Sequence, residues 1–436
     1  MSRPFRFTAL LTILFLAALA ACGSDDDGVK PPTDTVAPAP ITDLTCIDRT
    51  DVSVTLSWTA TGDDTTSGTA RSYQIRYSLA EITAGNWSSA TVVTGAPTPK
   101  TAGSPETHIV SGLSSNETYH FAIRAADETP NWSAVSNSPD TTTDLPQHFA
   151  ITTDQYINHS PAYSPDGTMI AYVSNREGMG EEIWIKSATE TDGAAWRITT
   201  FSSTGAVYSQ SPSWSPSGDS LVFHSNALGT YDIWGVDISG SPPYTPFQIA
   251  VDQSHIEWFP EWSHDGSKIA FSSDWDAGAA EVYYVSPSGG AWTRVTNDAY
   301  LNEYPTWSPD DLYIAYASVR ASQNQSVFKI RLSDGAITQV SFEGNQEEHP
   351  SWAPVRIGAN SFEYVAYVQN TSELSPQRWN VSFVPSNGAG GAVLVTSATD
   401  GLFQTFPCWS PNGKRIAYTH WTAGGSTFIY SQRVFQ

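Results

Sequence analysis

The sequence is poor in three things, and each shortage excludes a class of protein. Cysteine occurs three times in 436 residues, at Cys22, Cys46 and Cys408, so no disulfide framework organises the chain. Charged residues are 15 % of it, against a usual share of about 25 %. Within that share 21 Lys+Arg face 44 Asp+Glu, a net charge of −23, which excludes nucleic acid or an anionic membrane surface as a partner. Catalytic phrases are missing as well: there is no G-x-S-x-G, H-E-x-x-H, C-x-x-C or phosphate-binding loop. Polarity comes from Ser, Thr, Asn and Gly, which suit sheets and turns better than helices. A 12 % aromatic content with 16 Trp excludes a disordered chain.

Arg3 and Arg6 precede the apolar run Ala9 to Ala21, too short to span a bilayer and shaped like a signal peptide, residues 1–21. It ends in Leu19-Ala20-Ala21-Cys22, which resembles the bacterial lipobox and implies lipidation of Cys22. Residues 22–39, rich in Asp and Pro, read as a disordered tether with a reach of roughly 23 Å. Gly23 stands where an Asp resembles an inner-membrane retention signal, so the resemblance implies an outer-membrane lipoprotein facing the periplasm or the cell surface. The membrane is met only through the lipid.

Between residues 40 and 145 short alternating segments are separated by Gly, Asp, Asn and Ser clusters, the pattern of an antiparallel sandwich. Val52 to Trp58, Tyr73 to Tyr77 and Tyr119 to Ala125 each alternate with a period of two. Pro40, Leu44, Trp58 and the phrase Leu113 to Tyr119 resemble a fibronectin type III domain, with Tyr119 at the tyrosine-corner position and Ser133 and Ser136 in the last strand. Trp58 and Cys46 read as core. The expected role is a spacer.

From residue 146 to 436 a phrase of the form P-x-W-S-P-D-G-x-x-I-A-Y recurs six times, its first prolines at 161, 212, 260, 305, 350 and 407. A period of 45 to 57 residues signals blades. Each phrase reads as a strand, a hairpin turn with Pro and Gly at their preferred positions, and a second strand. Two further strands follow, as in Glu182 to Lys186 and Trp196 to Thr200. The sixth unit lacks a fourth strand, while Phe149 to Thr153 stands spare ahead of the first, so the ring is expected to close by pairing the two. The fold class is all-β: a sandwich followed by a six-bladed β-propeller. The repeats resemble those of TolB-type propellers. That family joins its propeller to an α/β domain, whereas here a sandwich takes that place.

The segments ahead of each P-x-W strand and after each I-A-Y strand are expected on one face, which is the candidate ligand face. They supply His159, Gln210, Glu257, Trp258, Glu303, Glu348, His349, Trp275, His420 and Trp421. Glu257, Glu303 and Glu348 with His159 and His349 have the chemistry to line the channel mouth and hold a divalent cation or a cationic partner. Trp258, Trp275 and Trp421 lie off the repeat pattern and suit a sugar or peptide. No catalytic residue, cofactor or metal is assigned. The expected function is a non-enzymatic, lipid-anchored envelope protein that binds another envelope protein through the propeller face. The alternative is a glycan-binding or metal-dependent polysaccharide-cleaving protein, which requires His159 or His349 to converge with two of the three glutamates.

Overall fold

The computed structural model describes residues 34–435, apart from 130, 179, 192, 202–205, 276–277, 321–323, 343–344, 356–362, 371–377, 397–402 and 423. The signal peptide, Cys22, most of the tether and the insertion in the fifth repeat lie outside the described residues. Among the described residues, regular structure is strand apart from one 3-10 turn at Trp87–Ser89. No described helix is long and apolar enough to cross a membrane. The chain divides into two compact units.

The first unit is a seven-stranded sandwich: β1 (Thr45–Arg49), β2 (Ser53–Thr59), β3 (Ser72–Ser78), β4 (Thr91–Val92), β5 (Pro105–Ser111), β6 (Thr118–Ala126) and β7 (Asp140–Thr142). One sheet runs β1-β2-β5 and the other β4-β3-β6-β7. Alternation decides the core: Val54, Leu56 and Trp58 of β2 and Tyr73 and Ile75 of β3 are buried, as are Phe121 and Ile123 of β6. Trp58 meets Tyr73 edge-on with ring centroids 5.4 Å apart, a favoured aromatic geometry. Ser133 and Ser136 are buried because their hydroxyls accept the β6 N–H groups of Ala125 and Ile123 (3.0 and 2.9 Å). Cys46 is only half-buried, less than the core position expected of it.

The second unit is a ring of six four-stranded antiparallel blades. Their innermost strands are Asn158–Tyr163, Ser209–Trp214, Glu257–Trp262, Asn302–Trp307, Glu347–Trp352 and Gln404–Trp409, here the inner strands of blades 1 to 6. In blade 1 the expected turn forms: Gly167 has φ 74° and its N–H reaches Ser164 O at 2.9 Å. In blade 4 Asp311 takes the glycine's place at φ 55°, and its carboxylate accepts the backbone N–H groups of His264 and Asp265 in the turn of blade 3 (2.9 and 2.8 Å).

The ring closes with the spare strand, His148–Ala150, paired to Thr427–Arg433 of blade 6. The strand is shorter than Phe149 to Thr153, for a reason the other blades share. Fourth strands end where a Thr or Ser hydroxyl takes over an N–H of the third strand: Thr199 from Ile183, Thr296 from Val282, Ser341 from Val327 and Thr396 from Val381, at 2.8 to 2.9 Å. Thr152 does the same to Ile429 at 2.9 Å. The chain ahead of blade 1 therefore reproduces the fourth-strand chemistry of blade 6.

Candidate functional site

Each residue of the P-x-W phrase has a separate task. The register between the first two strands of blade 1 slips between Ala171 and Val173, so Ser160 and Pro161 together face one residue, a β-bulge. Equivalent slips occur in blades 2 to 6. Proline has no N–H to lose there. The residue before it, ordinarily extended, is left-handed in every blade: Ser160, Ser211, Phe259, Tyr304, His349 and Phe406 have φ between 50° and 57°. Such a backbone costs a non-glycine residue about 1–2 kcal/mol. The residue between Pro and Trp joins blades. Ser213, Glu261, Thr306 and Cys408 accept, through their side chains, the backbone N–H of the aromatic residue in the next blade, Trp262, Trp307, Trp352 and Tyr163 (3.0 to 3.4 Å). The indole N–H groups of Trp214, Trp307 and Trp409 reach back to the carbonyls of Ala162, Glu261 and Ser351 (3.0 to 3.1 Å).

The six left-handed residues line a cavity of about 450 Å3 on the propeller axis. Its wall is uneven. Blades 3 to 6 contribute Phe259, Tyr304, His349 and Phe406, whose neighbouring rings are 4.1, 4.0 and 4.3 Å apart, while blades 1 and 2 contribute serines. Burial drives the proton off His349, lowering its pKa to about 3. Its Nδ1 is 3.7 Å from Glu348 Oε2, too far for a hydrogen bond, so no ion pair forms. From the ring the cavity runs past the repeat Pro and Trp residues to the hairpin turns, with Pro165 and Pro216 exposed at its rim. It therefore opens at the end opposite the predicted ligand face. The signal missed in the sequence is the pair of positions flanking the proline.

At the predicted face, distance from the repeat proline sorts the candidates. The inner-strand residues three before it, Asn158, Ser209, Glu257, Asn302, Glu347 and Gln404, are 5 % exposed or less. Glu257 is thus a correction to the proposed mouth. Its Oε1 accepts from Ser273 Oγ (2.9 Å) and its Oε2 from the backbone N–H of Asp252 (3.2 Å). Desolvation, with Asp232 and Asp252 nearby, pushes its pKa up to about 8. The residues two before the proline do meet at the axis. Glu303 accepts from the Trp258 indole (3.3 Å) and from Gln325 Nε2 (3.1 Å). Gln346 bridges Gln325 Oε1 and Glu348 Oε1 (3.0 and 2.9 Å). Burial raises the pKa of both glutamates. On the other side His159 Nε2 lies 3.4 Å from Glu181, which also accepts from Gln210, and Gln210 Oε1 is 3.3 Å from His224. Gln325, Gln346, Glu181 and His224 were not foreseen: Glu181 and Gln325 stand just ahead of third strands outside the repeated phrase, Gln346 stands just ahead of the inner strand of blade 5, and His224 lies inside a second strand.

The remaining candidates stay apart. His420 stacks edge-on with Tyr430 at 5.3 Å and Trp421 donates to Thr405 Oγ1 at 3.2 Å, both within blade 6. Trp275, 43 % exposed, packs on Trp292 at 5.2 Å in blade 3. Neither histidine converges with two of the three glutamates, and among the described residues no three His, Cys, Asp or Glu side chains are arranged to hold a metal ion. The metal-ligand set suggested by the sequence does not assemble.

Residues 39–138 match the fibronectin type III domain family and residues 144–359 the family described as the TolB beta propeller domain. An uncharacterized protein of Agrobacterium fabrum is 30 % identical over 111 residues, which are 26 % of this chain and 34 % of that protein. The chain thus spans about a third of the length of the curated relative it matches. Among solved structures, a putative TolB from Agrobacterium tumefaciens is 17 % identical, covering 66 % of this chain and 96 % of that one with a TM-score of 0.48. TolB from Acinetobacter baumannii is 21 % identical over 66 % and 62 % with a TM-score of 0.44. An oligogalacturonate lyase from Vibrio parahaemolyticus is 11 % identical over 66 % and 93 % with a TM-score of 0.42.

Proposed function

For a chain that joins a fibronectin type III domain to a TolB-type β-propeller domain, we propose a non-enzymatic lipoprotein, anchored through Cys22 in the bacterial outer membrane, whose propeller mouth binds another envelope protein. The propeller fold supports a protein-interaction role in general. The observation that carries the finer reading is the mouth itself. Trp258, Glu303, Gln325, Gln346 and Glu348 form one hydrogen-bonded chain, and Trp258, Glu303, Gln346 and Glu348 are partly exposed. Side chains already held in one arrangement lose little entropy on docking. The acidic character of the mouth suits a neutral or basic partner surface. In this reading the sandwich is a spacer beyond the tether, and nucleic acid has no part.

The test compares envelope proteins retained by the wild type and by Glu303→Ala/Glu348→Ala. Loss of a specific partner with the variant is expected, and equal recovery of every partner sinks the role of the mouth. Palmitate incorporation tests the anchor: label that persists in Cys22→Ser refutes it. A glycan-binding alternative keeps one observation, the exposed Trp275 backed by Trp292, and predicts polysaccharide binding that is lost in Trp275→Ala.

A further inference from the structure

The cavity at the turn end holds a carboxylate with no cationic partner among the described residues. Between Pro and Trp, five blades place Ala162, Ser213, Thr306, Ser351 and Cys408, and blade 3 places Glu261. Its Oε1 accepts from the Trp307 backbone N–H (3.0 Å) and from Thr306 Oγ1 (2.9 Å), while Oε2 has no hydrogen bond among the described residues. Among the described residues the lining contains no Lys or Arg, and the charge that acts on Glu261 is that of Asp311, of the same sign. Accepting the next blade's N–H does not require a charge, because Ser213 and Thr306 do it with hydroxyls. Blade 3 therefore keeps an acid where the ring needs only an oxygen.

The surroundings define what such an acid prefers. Phe259, Tyr304, Phe406 and Trp262 share the cavity with it, and aromatic faces attract cations. A volume of about 450 Å3 falls in the range of small-ligand pockets and admits a short carbon chain. A carboxylate is an acceptor only, so a carboxylate oxygen among aromatic rings and without a cation beside it suits a donor that brings positive charge. We propose that this cavity binds an alkylammonium group, with Glu261 Oε2 as its counter-ion and the aromatic wall around its carbon chain. The site is at the opposite end of the axis from Glu303 and Glu348 and stands or falls independently of the mouth.

Burial raises the Glu261 pKa to about 7, so below neutrality a proton competes with the ammonium for the site. Four of the other titratable groups in the lining lie outside that interval. Burial holds Cys408 and Tyr163 at about 12 and pushes Tyr304 up, and His349 is neutral. His264 and Asp311 at the rim contact each other at 3.2 Å, and a Glu261→Gln control run at both pH values separates their effect. That variant retains an oxygen for Trp307 and Thr306, and so retains the fold.

The experiment is calorimetric titration of the purified protein with cadaverine, with Nα-acetyl-lysine methylamide and with the neutral alcohol 1-pentanol, at pH 6 and pH 8. The expected result is amine binding about tenfold tighter at pH 8 than at pH 6, the ratio set by a carboxyl titrating near 7. Binding should weaken at least tenfold in Glu261→Gln, with no pH effect on pentanol. Cadaverine binding without the lysine derivative identifies a free amine as the ligand, and binding of both identifies a protein side chain as well. Equal amine affinity in Glu261→Gln, or no amine binding at pH 8, overturns the proposal. Unchanged amine binding in Glu303→Ala/Glu348→Ala keeps this result separate from that of the mouth.

Discussion

Two fully buried carboxylates between blades 2 and 3 make the stability of the propeller fall as pH rises. Asp232 and Glu257 are both 0 % exposed, and both accept from the same backbone N–H, that of Asp252, at 3.2 Å. Desolvation raises Asp232 to about 6 and Glu257 to about 8, with Asp252 repelling both. The folded state therefore binds more protons than the unfolded chain between the ordinary carboxyl range and about pH 8, and under linkage stability declines with increasing pH. A tenfold change in proton affinity is about 1.4 kcal/mol. Glu257 alone, moved from 4.5 to about 8, thus withdraws about 3 kcal/mol between pH 5 and pH 8. For a unit of this size that is a fall in melting temperature of about 6 °C. The assay is thermal unfolding of the propeller from pH 5 to pH 8, for the wild type and for Glu257→Gln, which cannot titrate. The slope should fall in the variant by the share of Glu257, most clearly between pH 7 and pH 8, leaving the contributions of Asp232 and of Glu261, raised by burial to about 6 and about 7. A flat wild-type profile, or the full slope retained in Glu257→Gln, refutes the argument.

Two further substitutions test the joints of the ring. Trp307, 0 % exposed and bonded to the Glu261 carbonyl, should lose about 3–5 kcal/mol on mutation to Ala, whereas Trp196, 51 % exposed, should lose under about 1 kcal/mol by the same change; urea unfolding of the two variants reads the contrast, and equal costs would contradict the stitching role. Ser211 sits at φ 52°, a backbone that β-branched residues resist, so Ser211→Val should destabilise by about 1–2 kcal/mol while Ser213→Val, in extended backbone, loses only its hydrogen bond to Trp262. A neutral Ser211→Val would mean that the bulge relaxes.

The fold was legible because a ring must satisfy the same local demands six times. Every blade needs a residue without an N–H at its bulge and an aromatic side chain at its joint, so Pro161 and Trp214 recur in kind wherever a blade recurs, and the turns of blades 1 to 4 and 6 add a positive φ at Gly167, Gly218, Gly266, Asp311 and Gly413. The missing fourth strand of blade 6 was legible too, since its Thr152 hydroxyl has counterparts in Thr199, Thr296 and Thr396. The site was harder to read, because it is made of positions where the blades need not agree. A left-handed residue before the proline can be Ser160 or Phe259 without changing the strand, so the uneven channel wall leaves no mark on the repeat. Between Pro and Trp any acceptor serves the next blade, which is how Glu261 passes for filler. The misplacement of Glu257 has a different cause. It stands three residues before its proline, and Glu303 and Glu348 stand two before theirs; in a strand that single residue exchanges one side for the other. Registered on the proline, the sequence separates the acid sealed between blades from the two at the mouth. The same count isolates Glu261 as the one charge at the inter-blade joint, where the ring itself requires none.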